Sequence, residues 1–153
     1  MNTKYILNQF DKNYECMGGK AGALARLAVK NLPIPGWFAI SPQAFSDSLT
    51  DQQRALFDSG DLNNFIQSIS EITIHQAVKA EVIQAAGRFD DTTYLAVRSS
   101  ARDEDGADNS FAGQFESYLY VKKSNLSEYI IKVWQSGFTE RVLLYRSENN
   151  LQG

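Results

Sequence analysis

Apolar residues recur along this chain at two spacings. Between Lys20 and Lys30, Ala23, Leu24, Leu27 and Ala28 fall at helical intervals, and Asn31 and Pro33 end the run. Further helices are predicted over Asp51–Phe57, Asp61–Ile69 and Ile74–Arg88, the last with Ala77, Val78, Val82 and Ala85 on one face. Ser41-Pro42 reads as an N-cap followed by proline in the first helical position, which predicts a helix from Pro42 to about Leu49. Ser124-Asn125 opens another, carrying Leu126, Tyr129, Ile130, Val133 and Trp134. Gly137 interrupts it, and Phe138 to Arg146 resumes it before a polar tail. Four shorter apolar stretches read as strands: Tyr5–Phe10, Trp37–Ile40, Tyr94–Arg98 and Phe115–Val121. The third, with Leu95 and Val97 leading to Arg98, is expected to be central in its sheet. There is no repeat and no Pro/Gly/Ser linker, so 1–153 reads as one α+β domain, a small mixed or antiparallel sheet packed by helices.

Composition narrows the partners. Hydrophobic residues make up 43% of the chain, enough for one core, and the net charge of -3 argues against a nucleic-acid surface. A small anion remains possible where a few cations gather locally. Cys16 is the single cysteine, so no internal disulfide forms, and with one histidine, His75, no zinc site is expected. A reducing, cytoplasmic setting without membrane contact is the expectation, since the N-terminus lacks a signal-like apolar run and no stretch is long enough to span a bilayer.

Two segments carry candidate chemistry. Met17-Gly18-Gly19-Lys20-Ala21-Gly22 is a glycine-rich turn entering a helix, where exposed backbone N–H groups and the helix dipole favour an anion and Lys20 adds a mobile charge. It is not a Walker A loop, because Tyr14 and Ala21 stand where that motif needs glycine and serine or threonine. The alternative is an ordinary helix start with Lys20 in water. Val97-Arg98-Ser99-Ser100 ends a strand with a guanidinium able to hold phosphate through two parallel bonds, and the serines add hydroxyl and backbone donors. The alternative pairs Arg98 with Asp103, Glu104, Asp105 or Asp108. That acidic loop lacks EF-hand spacing and reads as solvated. In Ser110-Phe111-Ala112-Gly113-Gln114 the small residues permit close backbone approach to a ligand, and Ser117, four residues after Gly113, offers a hydroxyl. His75 lies in no nucleophile motif, and Trp37 and Trp134 read as core anchors.

These motifs, with Pro33-Ile34-Pro35-Gly36-Trp37-Phe38 between them and Val133-Trp134-Gln135-Ser136-Gly137-Phe138 after, occur in one order. Together they resemble the N-terminal nucleotide-binding domain of phosphoenolpyruvate synthase and pyruvate phosphate dikinase, which rifampicin phosphotransferase shares. The resemblance spans nearly the whole chain outside about 49–91. It implies the N-terminal subdomain of an ATP-grasp fold, with Lys20 and Arg98 on the ATP phosphates and Gly113 and Ser117 against the nucleotide. Serine at 117 departs from a common threonine but keeps the hydroxyl. The second half of the clamp, which supplies the Mg²⁺ and adenine contacts, is expected to be missing, as are the phosphohistidine and substrate domains. The implied function is the ATP-binding portion of a phosphotransferase that moves a phosphoryl group to a phosphohistidine and on to pyruvate or a similar acceptor, inactive in isolation. Two alternatives stay open: a non-catalytic module that associates with itself or a partner, and an unrelated α+β binding domain.

Overall fold

A computed structural model of the chain describes residues 5–8, 17–100 and 116–139. Among them are six α-helices and two antiparallel two-stranded sheets, an α+β arrangement as the hydrophobic spacing predicts. β1 (Ile6–Leu7) pairs with β2 (Ala39–Ile40), with Ile6 opposite Ile40. β2 begins two residues later than the apolar run Trp37–Ile40 predicts, after an irregular stretch that holds Pro33, Pro35 and Gly36.

α1 (Gly18–Val29) ends where Asn31 turns left-handed at φ 54°, close to the predicted stop. α2 (Pro42–Ser48) has proline in its first turn as expected, but Ser41 makes no capping bond. Its N–H instead donates to the Tyr5 carbonyl at 2.8 Å, extending the β1–β2 pairing, and its hydroxyl is buried without a partner. α3 (Asp51–Asp58) opens with a Thr50–Gln53 capping box. The same Gln53 amide donates to the Ser68 carbonyl at 2.8 Å and ties α3 to α4 (Leu62–Ile69). α5 (Gln76–Ala86) is capped by His75, whose Nδ1 accepts from the Ala77 N–H at 3.2 Å. The lone histidine is therefore a helix cap.

β3 (Leu95–Arg98) pairs with β4 (Ser117–Val121), and a 3-10 turn (Lys123–Asn125) leads into α6 (Leu126–Ser136). Among the described residues β3 has this one neighbour, rather than the two that a central strand would have. The inner faces of both strands pack with α5 and α6 around Val78, Val82, Val121, Leu126 and Ile130. A second cluster gathers Leu49, Phe65, Ile69 and Ile72, with Phe45 and Phe138 against it. Trp134 packs against both clusters and Trp37 against a third, small one beneath α1, so both tryptophans serve as packing anchors. The predicted resumption of helix after Phe138 lies, from residue 140 on, outside the described residues. Among the described residues no helix is long and apolar enough to cross a membrane.

Candidate functional site

The site is built where α1 meets the end of β3. α1 is held from below by small contacts: Met17, Ala21 and Ala25 are buried against Leu7, Trp37 and Ala39. From the side it meets Ser100, two residues beyond Arg98. The Ser100 hydroxyl accepts the Ala21 N–H at 2.9 Å and donates to the Met17 carbonyl at 2.7 Å. Gly18 lies against the same residue with φ 71°, and a Cβ built on it would overlap the Ser100 carbonyl oxygen. Glycine is required there twice over, by the positive φ and by the approach of a second backbone.

This contact joins the two cationic segments. Lys20 precedes Ala21, and Arg98 stands two residues before Ser100. The intervening bonds limit their Cα separation to roughly 15 Å. Two long side chains reaching from such positions can share one polyphosphate. Lys20 is half-buried and Arg98 exposed.

Arg98 emerges on the outer face of its sheet. Along β3, Leu95 and Val97 are half-buried toward the helices while Ala96 and Arg98 are exposed, the alternation expected of a strand with one packed face. In register, Arg98 lies directly opposite Ser117, which is also exposed, so the two residues are cross-strand neighbours. The register slips by one residue between the Val97–Tyr118 and Leu95–Val121 pairs. The extra residue of this bulge falls at Leu119–Tyr120, where Tyr120 has φ 57° and both side chains are exposed. The strand 115–121 accordingly alternates only in part.

Of the residues nominated from sequence, Lys20, Arg98 and Ser117 come to one end of the molecule's α1–β3–β4 junction. Gly113, Phe111 and the acidic loop 103–108 lie outside the described residues. Ser100 departs from its expected part. A serine has one hydroxyl proton, and here it goes to Met17, so it is not available to an anion. No spacing in the sequence signals that contact.

Elsewhere, a depression of about 360 Å³ opens between α5 and the start of α6, lined by Val82, Ile83, Ala86 and Leu126 with Lys79 and Lys123 at its rim. Its lining is apolar and Lys123 is tied to the Phe89 carbonyl and Asp91, so it offers no acid–base pair. Hydrogen bonding to Lys123 holds the Asp91 carboxyl below the usual carboxylate range, and the Thr92 hydroxyl and N–H do the same for Asp90. Among the described residues no group of His, Cys, Asp or Glu gathers in a metal-binding arrangement.

Comparison with known proteins bears on the same segments. The family model described as pyruvate phosphate dikinase, AMP/ATP-binding domain, matches residues 14–153. Prodigiosin synthesizing transferase PigC of Serratia marcescens is 36% identical over 133 residues, covering 84% of this chain and 15% of its own length. Rifampicin phosphotransferase of Streptomyces sviceus is 32% identical over 168 residues, covering 97% of this chain and 19% of its own. A probable phosphoenolpyruvate synthase of Methanocaldococcus jannaschii is 28% identical over 159 residues, covering 90% and 13%. The chain spans less than a fifth of each of these relatives.

Proposed function

The chain belongs to the pyruvate phosphate dikinase AMP/ATP-binding domain family, and from that premise we propose that it is the ATP-binding portion of a phosphotransferase. It forms part of an ATP-grasp clamp. Arg98 holds phosphate oxygens through paired N–H donors, Lys20 adds a second charge, and Ser117 donates its hydroxyl beside Arg98. The first-turn N–H groups of α1 contribute partial positive charge. Gly113 lines the nucleotide. The observation that carries this reading is the Ser100 bridge, which brings a lysine and an arginine distant in sequence to one junction.

In this reading the residues act by position and charge. Fixed cations neutralise the phosphate oxygens and favour the charge distribution of a transferring phosphoryl group. Among the described residues no group of three or more His, Cys, Asp or Glu gathers, and in this reading the Mg²⁺ ligands come from the other half of the ATP-grasp clamp. The phosphoryl group passes to a phosphohistidine in another domain of the parent enzyme and on to pyruvate or a comparable acceptor. The relatives' names differ in the molecule they concern while the matched segment is common to them, which fits a module that handles the nucleotide end. A cytoplasmic setting fits the single cysteine.

Calorimetric titration with Mg-ATP tests the reading. The 153-residue chain is expected to bind weakly, at about millimolar Kd, with no phosphotransfer of its own. Arg98→Ala and Lys20→Ala each remove the measurable heat. Binding indifferent to both substitutions contradicts the proposal.

A second reading, self-association, draws on one observation. Tyr94, Leu119 and Tyr120 are exposed on the β3–β4 hairpin, with the two tyrosine rings edge to face. Sedimentation velocity distinguishes it: a concentration-dependent dimer lost on Leu119→Lys favours association, and a monomer at all concentrations removes it.

A further inference from the structure

The first turn of α1 is tied to a segment distant in sequence. Its opening pair is Ala21 N–H and Met17 O, and the Ser100 hydroxyl bonds to both. Gly18, at φ 71°, sits in the same turn.

We propose that Ser100 is a positioning residue for phosphate binding. By bonding to both ends of the first turn of α1, its hydroxyl fixes Gly19 and Lys20 against the segment that bears Arg98, so that the two cations engage one ligand as a unit. The inference rests on the ATP reading above. Three features carry it. Ser100 belongs to the extended segment that continues from Arg98. It is hydrogen-bonded to α1, and it uses both its acceptor and its donor there, so alanine removes both bonds at once. Lastly, its proton is committed to Met17, so Ser100 acts on the ligand through Lys20 and Arg98 rather than by touching it.

The test uses the full chain, ATP as probe, and amide hydrogen exchange read at Ala21. Ser100→Ala is expected to weaken ATP binding about tenfold and to speed exchange at Ala21. Ser100→Thr, which keeps the hydroxyl, restores both toward wild type. The discriminating readout is a double-mutant cycle of the conservative substitutions Lys20→Gln and Arg98→Lys. Their effects on ATP affinity are coupled in the wild-type background and additive when Ser100→Ala is added. A serine that merely supports the fold would lower Tm and leave that coupling intact, which overturns the inference. So does unchanged ATP affinity in Ser100→Ala, or unchanged exchange at Ala21. Failure of the wild-type chain to bind ATP at all sinks the ATP reading, and the inference with it. With wild-type binding intact, the other outcomes bear on Ser100 alone.

Discussion

The aromatic cluster around Phe65 and the junction at Ser100 are held together by opposite means. Around Phe65, the contacting rings of Phe45, Phe57, Phe138 and Trp134 stand with centroids between 5.1 and 6.2 Å apart, some stacked and some edge to face. Such packing stabilises in proportion to buried area and tolerates a range of ring orientations. At the junction the buried side chains are two alanines and one methionine, and the close approach depends on an absent Cβ and one hydroxyl. Directional contacts of this kind add little area and fail with a single atom out of place. In the proposed reading stability and ligand geometry are lodged in separate parts of the molecule, and substitutions should separate them.

The largest loss of stability is expected at Phe65, which is fully buried. Phe65→Ala leaves a cavity among the rings and costs about 3–5 kcal/mol, read as a fall in the urea midpoint. Where the variant remains folded, its ATP affinity stays near wild type. A selective loss of ATP binding would erase the distinction between the two regions.

Gly18→Ala comes next and inverts the pattern. The added methyl collides with the Ser100 carbonyl and must adopt a positive φ, a strain of about 1–3 kcal/mol. ATP binding is lost because α1 must move away from the strand end. Amide protection around Ile69 and Phe65 persists, as hydrogen exchange can show. Global unfolding instead would mean that the junction and the aromatic cluster form one cooperative unit.

A helix cap remote from both regions gives a smaller effect. Thr50→Ala breaks the capping box of α3 and costs about 1 kcal/mol in chemical denaturation, with no change in nucleotide titration. The smallest effect concerns acid. The Asp91 carboxyl, hydrogen-bonded to Lys123, titrates below its ordinary value in the folded chain. Its contribution is therefore present above the unfolded carboxylate pKa and fades as pH falls through the folded one. Between those values, the Tm of wild type should decline slightly faster than that of Asp91→Asn. The carboxylate is almost wholly exposed, so solvent screening keeps the difference small.

Local features were the ones legible in the sequence. The helices over Leu62–Ile69 and Gln76–Ala86 follow from apolar spacing that their own residues contain. The strand ending at Arg98 follows from its alternation. Ser41-Pro42 marked the correct helix start, yet the Ser41 side chain turned away from capping because its backbone completes a strand pair with Tyr5, a partner 36 positions earlier (41 − 5). His75 looked idle because a histidine cap leaves no pattern in the sequence around it. Lys20 and Arg98 could be nominated singly from their flanking glycines and serines. Their union depends on a hydroxyl reaching 83 residues back to Met17, which no periodicity encodes. The pairing of Arg98 with Ser117 was equally hidden, since it depends on where the β4 bulge places the extra residue.

In the proposed reading the Gly-Gly-Lys turn and the Arg98 strand end serve one polyphosphate. Amide NMR of the labelled chain during ATP titration tests this most directly. Gly19, Lys20, Arg98 and Ser117 are expected to shift along a single binding curve while the amides around Phe65 stay still. Shifts confined to one of the two segments, or two segments saturating with different affinities, would contradict it.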